Sequence, residues 1–496
     1  MSKSNSLGRN TITITLSRVI ALAITMVTAM LLSRFRTVEE YGTYSQLQLV
    51  AALFVSVFMM GLPSSINYFI SRADSDKERQ NFLGTYYTLS GALSLLTGIA
   101  LALCAPVISS FFDNPAILAF IYFLLLFPWA NVTVSGIENV LIVYQKANWV
   151  TVYRILESVC LLGSVLVIQW LGYGFKEYMV LYLTVYALFA LIVYALAYKV
   201  SGGFRPKFDF SLIKKIFAFS IPIGLASVMG TLNIEIDKLL IGYVMDTEQM
   251  AIYTNASKEL PVSFIASSIT AVLLPQLTRL LKDKKSESAV SLWGAATELS
   301  FILIALIVGT VFTFAEDVMV FLYSDKYIAG IPVFRVYTLI LLLRCTYFGM
   351  ILNAKGKTKD IFWASVGSLI INAIINPLFY YLFGMIGPAI GTFVAMLLII
   401  VWQLMRTSSA LEIPFVRVFP WKKLFFILLI SAGFSVCFFG LKQLLPLESV
   451  LTGLGESVAL GVVWTVLYIV VLKKRIVAAW HTLNQKDHEN ENTDIA

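Results

Sequence analysis

Apolar residues run along this chain in blocks of about twenty, and polar punctuation separates each block from the next. Fourteen blocks occur, near 11–33, 42–66, 82–108, 116–143, 149–171, 178–199 and 216–242, then 249–278, 289–314, 331–354, 361–383, 385–405, 422–445 and 450–472. A helix of about 20 residues crosses a hydrocarbon core of about 30 Å. The pattern predicts an all-α polytopic membrane protein with 14 transmembrane helices.

Composition agrees, with 58% hydrophobic and 13% charged residues. A soluble domain carries about 45–50% and about 25%. With the N-terminus inside, the inward loops and tails hold twenty-six Lys and Arg and the outward loops five. That asymmetry places both termini in the cytoplasm. The net charge of +8 then belongs to loops facing cytosol and anionic lipid, and nucleic acid is not an expected partner. The first apolar block is longer than a signal h-region of about 7–15 residues, so it reads as a membrane span. Cys104, Cys160, Cys345 and Cys437 fall on different spans without a CxxC pair and read as buried small hydrophobes.

Catalytic chemistry finds little to stand on. Both histidines, His481 and His488, lie in the C-terminal tail, and no Gly-rich phosphate loop or nucleophile triad can be assembled. The longest outward connection, Ala315 to Pro332, leaves no room for a folded external domain. The expectation is a non-enzyme without a cofactor, which moves something or receives something rather than transforming it.

The chain also repeats itself with a period near 210. "LLSRFRTVEEYGTYS" at 31–45 aligns with "LLIGYVMDTEQMAIYT" at 239–254, pairing Glu39 with Glu248 and Tyr44 with Tyr253. "GLPSSINYFISR" at 61–72 aligns with "LLPQLTRLLKD" at 273–283, pairing Pro63 with Pro275. Six spans separate the copies, so the repeats are parallel and related by an axis along the membrane normal. The predicted organisation is a six-helix lobe at 1–200, a second at 201–410, two further helices at 411–475 and a disordered cytoplasmic tail at 476–496.

"TVEEYGTYS" after the first span, "FSIPIGLASVMGTLNIEIDKLLIG" in the seventh, "KGKTKDIFWASVGSLIINAIINPLF" across the eleventh and "GMIGPAIGT" opening the twelfth carry a resemblance. They resemble the polysaccharide-repeat-unit (O-antigen and exopolysaccharide) flippases of the multidrug/oligosaccharidyl-lipid/polysaccharide exporter superfamily. The likeness runs through all fourteen spans. It implies two lobes around a central cavity in a bacterial cytoplasmic (inner) membrane. The implied substrate is an undecaprenyl-pyrophosphate-linked oligosaccharide, moved from the cytoplasmic to the outer leaflet by alternating access. Membrane lipids, a polysaccharide polymerase and chain-length components are the implied partners. Related lipid II flippases follow a helix-1 "SR" with a second arginine six residues on; here Ser17–Arg18 is followed by Ile24. Multidrug relatives often use an acid in helix 1, where this chain has only Arg18. A lipid II-type flippase, a cation-coupled multidrug antiporter and a non-transporting scaffold of an assembly complex are the alternatives.

Twelve charges fall within the spans: Arg18, Arg154, Lys238, Lys258, Arg335 and Arg344 against Glu138, Glu157, Glu235, Asp237, Glu259 and Glu298. Each costs about 2.5–3.5 kcal/mol at a helix centre, so none should face lipid. Arg154–Glu157 and Glu235–Lys238 have the i,i+3 spacing of local ion pairs. Arg18, Lys258 and Arg344 have no opposite charge three or four places away. A pyrophosphate needs several positive donors, so these three are the candidate substrate-binding bases. The competing reading pairs them with Glu138, Glu259 or Glu298 across helices. Asn372 and Asn376 could bind sugar hydroxyls or join helices. Glu235, Asp237, Lys238, Glu259 and Glu298 are the candidates for coupling or gating, with protons, sodium and the membrane potential as the drives left open.

Overall fold

The computed structural model describes residues 2–445 and 452–493. Among these residues every regular element is helical, and the chain divides into two compact units, Met1–Ile252 and Tyr253–Ala496.

The first unit holds α1 (Ser2–Phe35), α2 (Val38–Met59), α3 (Ser64–Arg72), α4 (Asp76–Phe111), α5 (Ile121–Val143), α6 (Ala147–Trp170), α7 (Phe175–Ser201) and α8 (Phe210–Val244). Helix α9 (Thr247–Ala256) crosses the division. The second unit continues with α10 (Ser263–Lys282), α11 (Ser286–Thr313), α12 (Ala315–Tyr323), α13 (Ile331–Ile340), α14 (Met350–Ala354), α15 (Thr358–Phe383), α16 (Gly387–Leu411), α17 (Phe415–Val418), α18 (Trp421–Leu444) and α19 (Gly453–Thr493). Helix α8, with which the second repeat begins in the sequence, lies in the first unit and packs against α2.

Some elements recur at corresponding places in the two aligned stretches. Each copy opens with a two-residue break, between Phe35 and Val38 and between Val244 and Thr247. A 3-10 turn follows in each, at Pro115–Phe120 and Asp325–Gly330, and the next helices start at Ile121 and Ile331. The pairing of Pro63 with Pro275 is not matched, because Pro63 caps α3 whereas Pro275 lies inside α10.

The "TVEEYGTYS" segment builds a corner. Thr37 accepts from the Glu40 amide and Glu40 returns the bond to the Thr37 amide, a capping box that starts α2. A Cβ on Gly42 would sit 2.2 Å from the Thr247 carbonyl oxygen, so only glycine allows that backbone approach. Asn114 ties the corner by donating to Gln46 Oε1 at 2.7 Å and Thr43 Oγ1 at 2.9 Å.

Twelve stretches among the described residues are long and apolar enough to span a membrane, where the sequence suggests fourteen. Thr358–Leu411 is one such stretch although it contains both α15 and α16, joined by a 3-10 turn at Gly384–Ile386. The span expected at 249–278 is no continuous helix, because residues 257–262 leave the helical conformation. Pro261 explains the break: it lacks an amide hydrogen and its ring clashes with the preceding turn.

Two further expectations change. The helices beyond 411 are integral to the second unit's core, in which Ile427 and Phe438 of α18 and Trp464 and Tyr468 of α19 pack with Trp293, Phe301 and Val308 of α11. The tail expected to be disordered from 476 continues α19 as far as Thr493, because no glycine or proline after Lys473 stops it. Residues 450–451, where the last span was expected to start, and 494–496 lie outside the described residues. Of the cysteines only Cys345 is buried; Cys104 and Cys160 are half-buried and Cys437 is exposed.

Candidate functional site

Two groups of intramembrane charge, one in each unit, contain the candidate substrate-binding bases, and each includes a carboxylate. In the first, Glu138 sits on α5, almost wholly buried. Arg18 of α1 donates through Nε to Glu138 Oε1 at 3.0 Å and through a terminal nitrogen to the same oxygen. Arg154 of α6 donates to Glu138 Oε2. One carboxylate thus holds three helices together. Arg154 therefore does not make its ion pair with Glu157, as i,i+3 spacing suggested; it turns to Glu138. The Arg18 side chain keeps 56% of its surface exposed and Arg154 keeps 37%, so both guanidinium groups remain open on one side. Behind them is a cavity of about 190 Å³ lined by Asn131, Ser135, Glu138, Tyr153, Arg154, Glu157 and Tyr186 among others. Sequence reasoning missed Asn131, Ser135, Tyr153 and Tyr186, because uncharged side chains carry no penalty that singles them out.

In the second unit two broken helices meet. Lys258 and Glu259 stand in the break between α9 and α10, and Arg344 ends a 3-10 turn at Leu341–Arg344, before non-helical residues lead into α14. Arg344 forms a salt bridge with Glu259 and so pins one break to the other. Lys258 donates to Asn255 Oδ1 at 2.9 Å and lies 5.7 Å from the centre of the Tyr323 ring. Unpaired backbone in a membrane is tolerated only inside protein or along a water-filled cavity. Discontinuous helices therefore mark where transporters hold their substrates.

The remaining candidates occupy other places. On α8, Lys238 pairs with Glu235 at 2.9 Å, the bond their spacing predicts. Asp237 beside them is buried and accepts from the Lys238 amide at 2.8 Å. Glu298 on α11 is 3% exposed and receives Lys423 of α18 at 2.7 Å and Arg475 of α19 at 3.2 Å. Those bonds make it a clamp on the last two long helices. Asn372 and Asn376 are buried on α15, facing α16, where a Cβ on Gly391 would come within 2.3 Å of Asn376 Oδ1. Close approach of this kind joins α15 to α16 through small residues.

A family model described as polysaccharide biosynthesis protein matches residues 31–332. The chain belongs to that family. No match to a curated protein is found by sequence. Among solved structures, the lipid II flippase MurJ in an inward closed conformation superposes with a TM-score of 0.70 at 15% identity. That alignment covers 93% of this chain and 99% of MurJ. An inward-facing multidrug resistance MATE family transporter gives 0.60 at 17% identity over 79% of this chain and 95% of its own. A Vibrio cholerae MATE transporter gives 0.55 at 15%, over 82% and 97%. At these identities the likeness shows the fold, a multi-pass helical transporter architecture.

Proposed function

We propose that this protein is a flippase for undecaprenyl-pyrophosphate-linked oligosaccharide repeat units, moving them from the cytoplasmic to the outer leaflet for surface polysaccharide synthesis. The observation that carries the reading is the pinned pair of helix breaks in the second unit, where Lys258 and Glu259 on non-helical backbone meet Arg344 at the end of a 3-10 turn. Arg344 and Lys258 supply positive donors for a pyrophosphate, and Arg18 and Arg154 supply a second set in the first unit. Each set is partly neutralised by a carboxylate at rest, which lowers the cost of holding cations in the membrane and leaves one positive charge over. An incoming pyrophosphate competes with Glu138 and Glu259 for the same guanidinium groups. Directional transport needs a drive, because a carrier indifferent to direction only equilibrates its substrate; protons, sodium or the membrane potential acting through the carboxylates would supply it. Asn372 and Asn376 would then add sugar contacts, and Glu235, Asp237 and Lys238 would form a gate. We place the protein in the inner membrane with both termini cytoplasmic, as the loop charges indicate. Its reaction forms and breaks no covalent bond.

The test is complementation with Arg18→Ala in a cell that depends on the gene, following protein level and lipid-linked repeat units. Accumulated intermediate at normal protein level supports the reading. Normal export would reduce Arg18 to a packing residue.

A further inference from the structure

The cavity in the first unit holds more polar chemistry than the Arg18–Glu138–Arg154 pairing uses. Tyr153 lines it, is only 6% exposed, and its hydroxyl has no hydrogen-bond partner. Buried hydroxyls are nearly always bonded, so this one points to a partner not supplied by the chain. Arg154 Nε is a second buried donor without a bond. One turn along the same helix, the Glu157 carboxylate lines the cavity and accepts no hydrogen bond, although it lies within electrostatic reach of Arg154. Asn131, Ser135 and Tyr186 complete the polar wall.

We propose that this cavity, enclosed by α5, α6 and α7, seats one neutral sugar ring. The inference deepens the flippase reading and rests on it. Size favours a ring: a space of 190 Å³ takes about six waters at about 30 Å³ each, far more than a bare ion needs and far less than an oligosaccharide fills. Inside the cavity charge excludes the simpler ligands: a cation would face the Arg154 guanidinium, and an anion would face Glu157 as well as Glu138, which leaves a pyrophosphate to the exposed sides of Arg18 and Arg154. A sugar hydroxyl both donates and accepts, which suits a wall where open donors on Tyr153 and Arg154 lie one helical turn from an open acceptor on Glu157. Tyr153 and Tyr186 also bring aromatic carbon to the lining, as small-molecule sites commonly combine a few placed polar groups with aromatic walls. The remaining sugars of the repeat unit would lie outside this seat, past the exposed Ser135.

Full-length protein in lipid nanodiscs is titrated with methyl glycosides of neutral hexoses and N-acetylhexosamines, and binding is read by saturation-transfer NMR. At least one glycoside binds the wild type. Its Kd rises about tenfold in Tyr153→Phe, the loss of one hydrogen bond, and by at least as much in Glu157→Gln. Tyr153→Phe removes a single oxygen and keeps the packing, so it reports on binding if Glu157→Gln fails to fold. Absence of glycoside binding by the wild type, or binding unchanged in Tyr153→Phe, overturns the seat. The complementation assay run alongside separates the two claims. A wild type that restores export but binds no glycoside loses the seat and keeps the flippase reading, whereas one that binds a glycoside while repeat units move without it overturns that reading.

Discussion

Arg18 and Glu138, 120 residues apart in sequence, are joined by a 3.0 Å bond from Nε and by a second bond from a terminal nitrogen. Arg154 occupies the carboxylate's other oxygen. Losing Glu138 leaves two guanidinium groups facing each other, whereas losing Arg18 leaves one pair intact. Glu138→Gln should therefore cost about 1–2 kcal/mol, a figure kept low because the guanidinium groups are partly exposed, and Arg18→Gln clearly less. Thermal unfolding of both variants in one detergent checks the order.

Arg344 and Glu259 allow structure to be separated from function. If the salt bridge only joins the two helix breaks, the exchange of Arg344→Glu with Glu259→Arg rebuilds it and restores export. If Arg344 also meets an anionic substrate, the double variant regains thermal stability while export stays at least tenfold below wild type. Melting temperature and export measured on the same preparations decide between these outcomes, and the second is expected.

Glu298 clamps α18 and α19 onto α11. Glu298→Ala leaves Lys423 and Arg475 without their shared partner and opens the C-terminal helices to proteolysis. The expected result is faster tryptic cleavage near Lys423 and a loss of about 1–3 kcal/mol, the cost of abandoning a buried hydrogen-bonded charge. Residual export should then follow the amount of intact protein.

Asp209 precedes α8 and lies outside the spans. The Leu212 amide, bonded at 3.1 Å, and the Asn81 side chain hold its carboxyl below the ordinary value of 3.8. A depressed folded pKa gives stability that is present above the ordinary value and lost as the pH falls through the lowered one. Wild type should thus lose this contribution only below about pH 4. Asp209→Asn still accepts the amide bond but no longer titrates. Melting curves should show a smaller difference between the two proteins at pH 3 than at pH 7.

Much of the fold is legible in the sequence, and the limits have physical causes. Apolar blocks located the helices, and the 210-residue period reappears as matched 3-10 turns before Ile121 and Ile331. The break at 257–262 was signalled by Pro261, yet hydropathy averaged across it. Local spacing paired Glu235 with Lys238 correctly, and that bond forms within α8. It failed for Arg154, whose true partner belongs to a neighbouring helix that no local rule can see. The sugar-sized cavity was invisible for the same reason, since Asn131, Tyr153 and Tyr186 come together only when α5, α6 and α7 pack.

The most direct test uses the purified protein in liposomes whose lipid includes an undecaprenyl-pyrophosphate-linked oligosaccharide. A glycosidase confined to the outside reports how much substrate reaches the outer leaflet. The account predicts that cleavage passes beyond the fraction initially outside, at a rate that falls at least tenfold with Arg344→Ala. Cleavage that stops at that fraction with active wild-type protein, under an imposed proton or sodium gradient or a membrane potential, would contradict it.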